Sequence, residues 1–186
     1  MIDKLTIKNV DGEILNIIDG ASKFSAEDIE SNYHEITAKL IEKSLTVTTM
    51  ESCTSGLIAS LITDCEGASA SFKGGFVTYS NEAKILNGVD KNIIDKYGVY
   101  SFETAKAMSK SCKDFYSTDI GIGITGTLGN TDPQNDDSVK GEVFIGILFG
   151  DKSFMYKAEI IGVATRKEWK LAVAKGVATV LIKIIN

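Results

Sequence analysis

The chain has 186 residues, with 20 Lys and Arg against 25 Asp and Glu for a formal charge of -5, and 44% of it is hydrophobic. That length suits one compact domain burying roughly two-thirds of its unfolded surface, and the mixed, mildly acidic charge excludes the clustered basic face a nucleic-acid partner requires. Cys53, Cys65 and Cys112 lie far apart with no C-x-x-C spacing, which excludes a metal knuckle or disulfide framework and fits thiols in a reducing cytosol. Residues 1–20 carry charges throughout, and nothing later approaches the about 18 to 20 apolar residues of a membrane span. The expectation is a soluble, cytoplasmic protein.

Residues 5–18 read as two short strands around Val10, Asp11 and Gly12, where the Asp-Gly pair favours a hairpin. This hairpin predicts an extension over 1–24, covering a sheet edge or an interface. Ser25 has the form of an N-cap, and Ile29, Tyr33, Ile36, Leu40 and Ile41 give a helical stripe running to about Ser44. The sole histidine, His34, reads as an exposed residue of this helix with no catalytic constellation around it. Residues 46–50 are strand-like, and 57–62 resume a helical pattern. A second buried strand at 74–80 (GGFVTYS) precedes a polar junction, NEAK, and another helical stretch. Ser101 caps an amphipathic helix with Glu103 in its first turn, and 119–125 (DIGIGIT) is a strand. Residues 141–149 and 153–161 pair antiparallel about Gly150-Asp151, and 166–185 form a long helix. The alternation predicts an α/β domain with helices on both faces of a mixed sheet.

The longest unpatterned segment, 125–141, contains the sole proline, Pro133. Loops of this length within compact domains are uncommon, so it is either part of a site or a mobile acidic excursion. Open α/β sheets bind ligands at the carboxyl ends of their strands, and residues 51–56, 79–84 and 125–129 form three such junctions. A serine on a strand-to-helix turn exposes its hydroxyl, while the helix-start amides point to where an oxyanion could sit. With no histidine nearby, such a serine needs another base, and a partly buried lysine of depressed pKa can serve; Lys84 is the candidate. Tyr79 could relay a proton, although a tyrosine ending a strand is equally a packing residue. Ser52 or Thr54 as a plain N-cap also accounts for the first junction.

The segments ESCTSG, FKGGFVTYSNEAK and GIGITGTLG, in this order and at these separations, resemble the signature stretches of the CinA C-terminal domain family. The similarity runs from residue 29 to the end. It implies a three-layer α/β/α sandwich over 25–186, and no further N-terminal domain of the kind family proteins often carry is expected. The best-characterised members are PncC-like nicotinamide-nucleotide amidohydrolases, which deamidate nicotinamide mononucleotide to nicotinate mononucleotide and ammonia without a metal. The resemblance therefore implies a small nucleotide substrate, no cofactor, no nucleic-acid or membrane partner, and a homo-oligomer.

Carried over residue by residue, it makes Ser52 the nucleophile and Lys84 and Tyr79 the proton-transfer partners. Thr54, Ser55, Gly56, Asn81, Thr125 and Gly126 would line the pocket or supply amides. Gly162 and Arg166, in GVATR, are the nearest equivalents of a family glycine and arginine before the final helix. Arg166 is then the phosphate contact, or else an ordinary first-turn surface arginine. Ser55 replaces the first glycine of the family's ESCTGG, and the spacing before Arg166 is longer by two residues. The loop after ITG is longer than usual and carries Asp132, Asp136 and Asp137, whose charge would oppose a phosphate if it bordered the pocket. A catalytically silent nucleotide-binding or regulatory domain, or a scaffold for protein partners, are the competing functions.

Overall fold

The computed structural model describes residues 1–133, 135 and 138–186. Its elements run β1 (Ile2–Asn9), β2 (Ile14–Asp19), α1 (Ala26–Glu42), β3 (Val47–Glu51), α2 (Leu57–Thr63), β4 (Phe72–Val77) and α3 (Asn81–Leu86). They continue with α4 (Lys91–Tyr97), α5 (Phe102–Tyr116), β5 (Ile120–Gly126), β6 (Glu142–Phe149), β7 (Lys152–Gly162) and α6 (Arg166–Ile185). Among the described residues the strands form one sheet in the order β2-β1-β7-β6-β5-β3-β4. β4, β3 and β5 run parallel, and every pairing from β5 to β2 is antiparallel. The expected α/β sandwich with a mixed sheet is therefore what forms.

The chain leaves β3 through α2 to its neighbour on one side, β4, and then travels through α3, α4 and α5 to the neighbour on the other side, β5. The strand order thus reverses at the carboxyl end of β3, the position where open α/β sheets hold ligands. On one face, Ile29, Tyr33 and Ile36 of α1 join Val177 and Leu181 of α6 in a core with Leu5, Ile122 and Ile145 of the sheet. On the other face, Met108 and Cys112 of α5 pack with Met50 of β3.

The IGIGI run of β5 shows why the two faces differ. Ile120, Ile122 and Ile124 enter the α1/α6 core. A Cβ at Gly121 would lie 2.2 Å from the Ser109 carbonyl oxygen, and one at Gly123 would lie 2.3 Å from that of Ala105. Helix α5 rests directly on bare backbone, which only glycine permits.

The N-terminal hairpin completes this sheet. β1 pairs along β7 and buries Ile2, Leu5 and Ile7. Its connection is wider than a two-residue Asp-Gly turn, because Asn9 Oδ1 accepts from the amides of Asp11 and Glu13 at 3.1 and 2.9 Å. The segment NEAK also differs from expectation: Ser80 Oγ accepts from the Ala83 amide at 3.1 Å, so these residues are the first turn of α3. No helix among the described residues is long and apolar enough to cross a membrane.

Candidate active site

β3 ends in Glu51, which is fully buried and turns forward onto the start of α2. Its carboxylate accepts from the amides of Gly56, Ile58 and Ala59 at 2.9, 3.1 and 2.9 Å. Those N–H groups have no partner inside the helix and carry the positive end of its dipole, so an anion is favoured there. The turn is made by two successive left-handed residues, Ser55 at φ 54° and Gly56 at φ 90°. The sequence reading offered the helix-start amides to a ligand, but Glu51 already occupies them. The amide of Cys53, a residue of the cavity wall, donates to no other residue among the described ones.

The Ser52 amide donates to the Ile124 carbonyl at 3.0 Å, pinning the serine to β5. Lys84, in the second turn of α3, is only 1% exposed. Its Nζ lies 3.2 Å from Ser52 Oγ and donates to the Thr78 carbonyl at 3.0 Å. Burial lowers Lys84 to about 8, against the raising influence of Cys53, Asp132 and Glu82. A substantial neutral fraction is therefore present near physiological pH, able to accept a hydroxyl proton. The adjacent Cys53 thiol is pushed up to about 12, first by burial and then by the Glu51 charge. It stays protonated at neutral pH, which leaves the serine as the group to activate.

Ser52 and Lys84 sit in the wall of a cavity of about 500 Å³. Tyr79, Asn81, Gly126 and Arg166 line it as well, so the three junctions converge. The Tyr79 hydroxyl accepts from the Arg166 guanidinium at 2.8 Å, and no hydrogen bond joins it to Ser52 or Lys84. Thr54, Ser55, Gly56 and Thr125 lie behind the wall. Ser55 Oγ donates to the Ser52 carbonyl at 3.3 Å, the Gly56 amide serves Glu51, and Thr125 Oγ1 donates to the Val99 carbonyl at 2.9 Å. Thr54 Oγ1 is buried with no partner among the described residues. Thr54, Ser55 and Gly56 belong to the β3–α2 turn and Thr125 ties the end of β5 to Val99, while the other six sequence-derived positions line the cavity. His34 is exposed on α1, and no group of three His, Cys, Asp or Glu among the described residues could hold a metal.

The loop between β5 and β6 forms part of the cavity wall. Asp132 Oδ2 accepts from the Tyr100 hydroxyl at 2.7 Å and from Asn135 Nδ2 at 2.6 Å. Asn81 Nδ2 donates to Asn135 Oδ1 at 3.2 Å, tying the loop to α3. Asp132 thus borders the pocket, whereas Asp136 and Asp137 lie outside the described residues. Sequence reasoning missed Tyr100 and Asn135, which carry no motif, and the role of Glu51. The nearest signal for Glu51 was a carboxylate just before a helix start, at a spacing no capping rule covers.

A model of the CinA C-terminal domain matches residues 29–184. A protein of Acetivibrio thermocellus named as competence-damage inducible is 42% identical over 126 residues, covering 67% of this chain and 30% of that protein. The chain spans about a third of the length of the curated relatives it matches. The crystal structure of the competence/damage inducible protein CihA from Agrobacterium tumefaciens superposes with a TM-score of 0.77 at 28% identity, covering 86% of this chain and 96% of that one. A CinA superfamily protein from Escherichia coli gives a TM-score of 0.73 at 25% identity, with 90% and 94% coverage. With the family domain spanning most of its length and its fold shared with solved members, this chain belongs to the CinA C-terminal domain family.

Proposed function

We propose that this domain hydrolyses the carboxamide of nicotinamide mononucleotide or a close relative, releasing nicotinate mononucleotide and ammonia. The observation that carries this reading is the 3.2 Å approach of Lys84 Nζ to Ser52 Oγ at a buried corner of the cavity. Neutral Lys84 takes the hydroxyl proton as Ser52 Oγ bonds to the carboxamide carbon. The Cys53 amide is the donor for the oxyanion, an interaction worth about 3 kcal/mol. Lys84 then passes its proton to the departing nitrogen, the C–N bond breaks, and ammonia leaves an acyl-serine. Water gives a proton to neutral Lys84 as it attacks the acyl carbon, Lys84 returns that proton to Ser52 Oγ as the carboxylic acid departs, and the acid then ionises to solvent. Arg166, with Tyr79 against it, is the cationic part of the wall suited to the phosphate.

Purified protein incubated with the nucleotide is expected to release ammonia, and Ser52→Ala and Lys84→Ala each to lower the rate by roughly 1,000-fold or more. Unchanged release from Ser52→Ala removes the nucleophile assignment. Tyr79→Phe separates two roles: a lower kcat supports a proton relay, and a raised KM supports bracing of Arg166. The bordering Asp132 carboxylate favours one alternative, a silent nucleotide-binding domain, which predicts calorimetric binding with no ammonia formed.

A further inference from the structure

Among the described residues, two carboxylates line the same cavity as Ser52 and Lys84, and they are held differently. Glu82 is exposed in the first turn of α3, where solvent screens its charge. Asp132 is half-buried, and its Oδ2 is fixed by the Tyr100 hydroxyl at 2.7 Å and by Asn135 Nδ2 at 2.6 Å. Its amide donates to Ser138 Oγ at 2.9 Å, so backbone and side chain are both restrained. Asn81, which holds Asn135, is one helical turn before Lys84, and the Asp132 charge reaches that lysine.

A fixed anion in this wall repels a phosphate-bearing ligand unless the ligand carries a compensating positive charge. In the reacting state Lys84 does not supply that charge, because only its neutral form, the majority above about pH 8, can take the serine proton. An oxidised nicotinamide nucleotide does: its ring nitrogen is cationic and lies two bonds from the carbon bearing the carboxamide. Seating that amide on Ser52 brings the cationic ring into the corner that holds Lys84, within the field of Asp132, while the phosphate has Arg166 elsewhere in the wall.

We infer that Asp132, braced by Tyr100 and Asn135, is a specificity-determining residue that recognises the pyridinium cation, so that the cavity selects zwitterionic nucleotide amides over those with a neutral ring. This rests on the amidase reading above and adds the charge class of its substrate. Tyr100 contributes an aromatic side chain to the same wall, a second group suited to a cation.

The test compares kcat/KM for nicotinamide mononucleotide with that for its reduced dihydro form, which has the same carboxamide, ribose and phosphate but an uncharged ring. The ratio is independent of how much enzyme is folded, and it cancels any change in Lys84 basicity. The native chain is expected to favour the cationic form by about tenfold or more, and Asp132→Asn to remove about tenfold of that preference. Tyr100→Phe shifts the ratio in the same direction by less. Calorimetry with both forms on Ser52→Ala reads the same preference in binding alone. An unchanged ratio in Asp132→Asn, with both forms still turned over, overturns the role of Asp132 and leaves the amidase reading intact. Failure of both forms to bind or react overturns that reading, and this inference with it.

Discussion

The two halves of the sheet treat a lysine in opposite ways. In the antiparallel half, Lys157 on β7 reaches Glu142 at 2.8 Å and Glu159 at 3.2 Å, while Lys8 on β1 pairs with Glu159 at 2.6 Å. Partial burial pulls Lys157 down, but the bonds to Glu142 and Glu159 outweigh it and leave the lysine raised and charged. At the parallel half's carboxyl edge, Lys84 meets a carbonyl and a hydroxyl, and burial lowers it to about 8. The first arrangement holds a charged lysine and the second favours a neutral one. The surroundings set that difference, since both side chains are chemically the same.

The sharpest way to break this comparison is Lys84→Met. Amide hydrolysis is expected to disappear while the fold becomes more stable near pH 7, by about 1 to 2 kcal/mol, because a buried cation is removed at the loss of its hydrogen bonds. Lys84 falls from its ordinary 10.5 to about 8 in the folded state. The cost of burying it charged is therefore full below pH 8 and fades as pH rises to 10.5, since only the unfolded chain holds the proton in that window. Denaturation at pH 7 and pH 10.5 checks this: the variant's advantage should be present at the first and gone at the second. If Lys84 is the base of the proposed amidase reaction, kcat/KM of the native chain should rise with pH and level off above about 8.

Next in size is Glu51→Gln, which sets an amide NH2 against three backbone donors and is expected to cost about 3 kcal/mol in urea denaturation. A loss under 1 kcal/mol would mean that Glu51 does not hold the α2 turn. Lys157→Met, in the half-buried ladder, should change stability by no more than about 1 kcal/mol and leave activity alone. The smallest effect belongs to Ser55→Gly. Ser55 adopts φ 54°, so glycine relieves backbone strain and should stabilise by up to about 1 kcal/mol, with a rise of a few degrees in Tm.

The helical stripe of α1, the Arg166 start of α6 and the β6/β7 hairpin were legible because each rests on local periodicity or a local cap. Ser52 and Lys84 were legible as residue types at strand ends, but their meeting depends on β3 and β4 pairing in parallel with α3 folded back over the junction. The Tyr79–Arg166 bond joins positions 87 residues apart, and no local pattern encodes it. The DIGIGIT run showed a strand without showing that its glycine side would be covered, because that needs the position of α5. The bracing of Asp132 was hidden for the same reason: Tyr100 precedes α5 and Asn135 sits within the loop itself.

The pairing of β1 with β7 has a consequence for how the molecule is made. Ile2, Leu5 and Ile7 are translated long before the strand that shelters them, Lys152–Gly162. At typical translation rates the nascent polypeptide carries that greasy ribbon unshielded for roughly ten seconds or more. Ribosome-bound chaperones are expected to grip this segment, and removing its three large aliphatic side chains should weaken that grip on stalled chains.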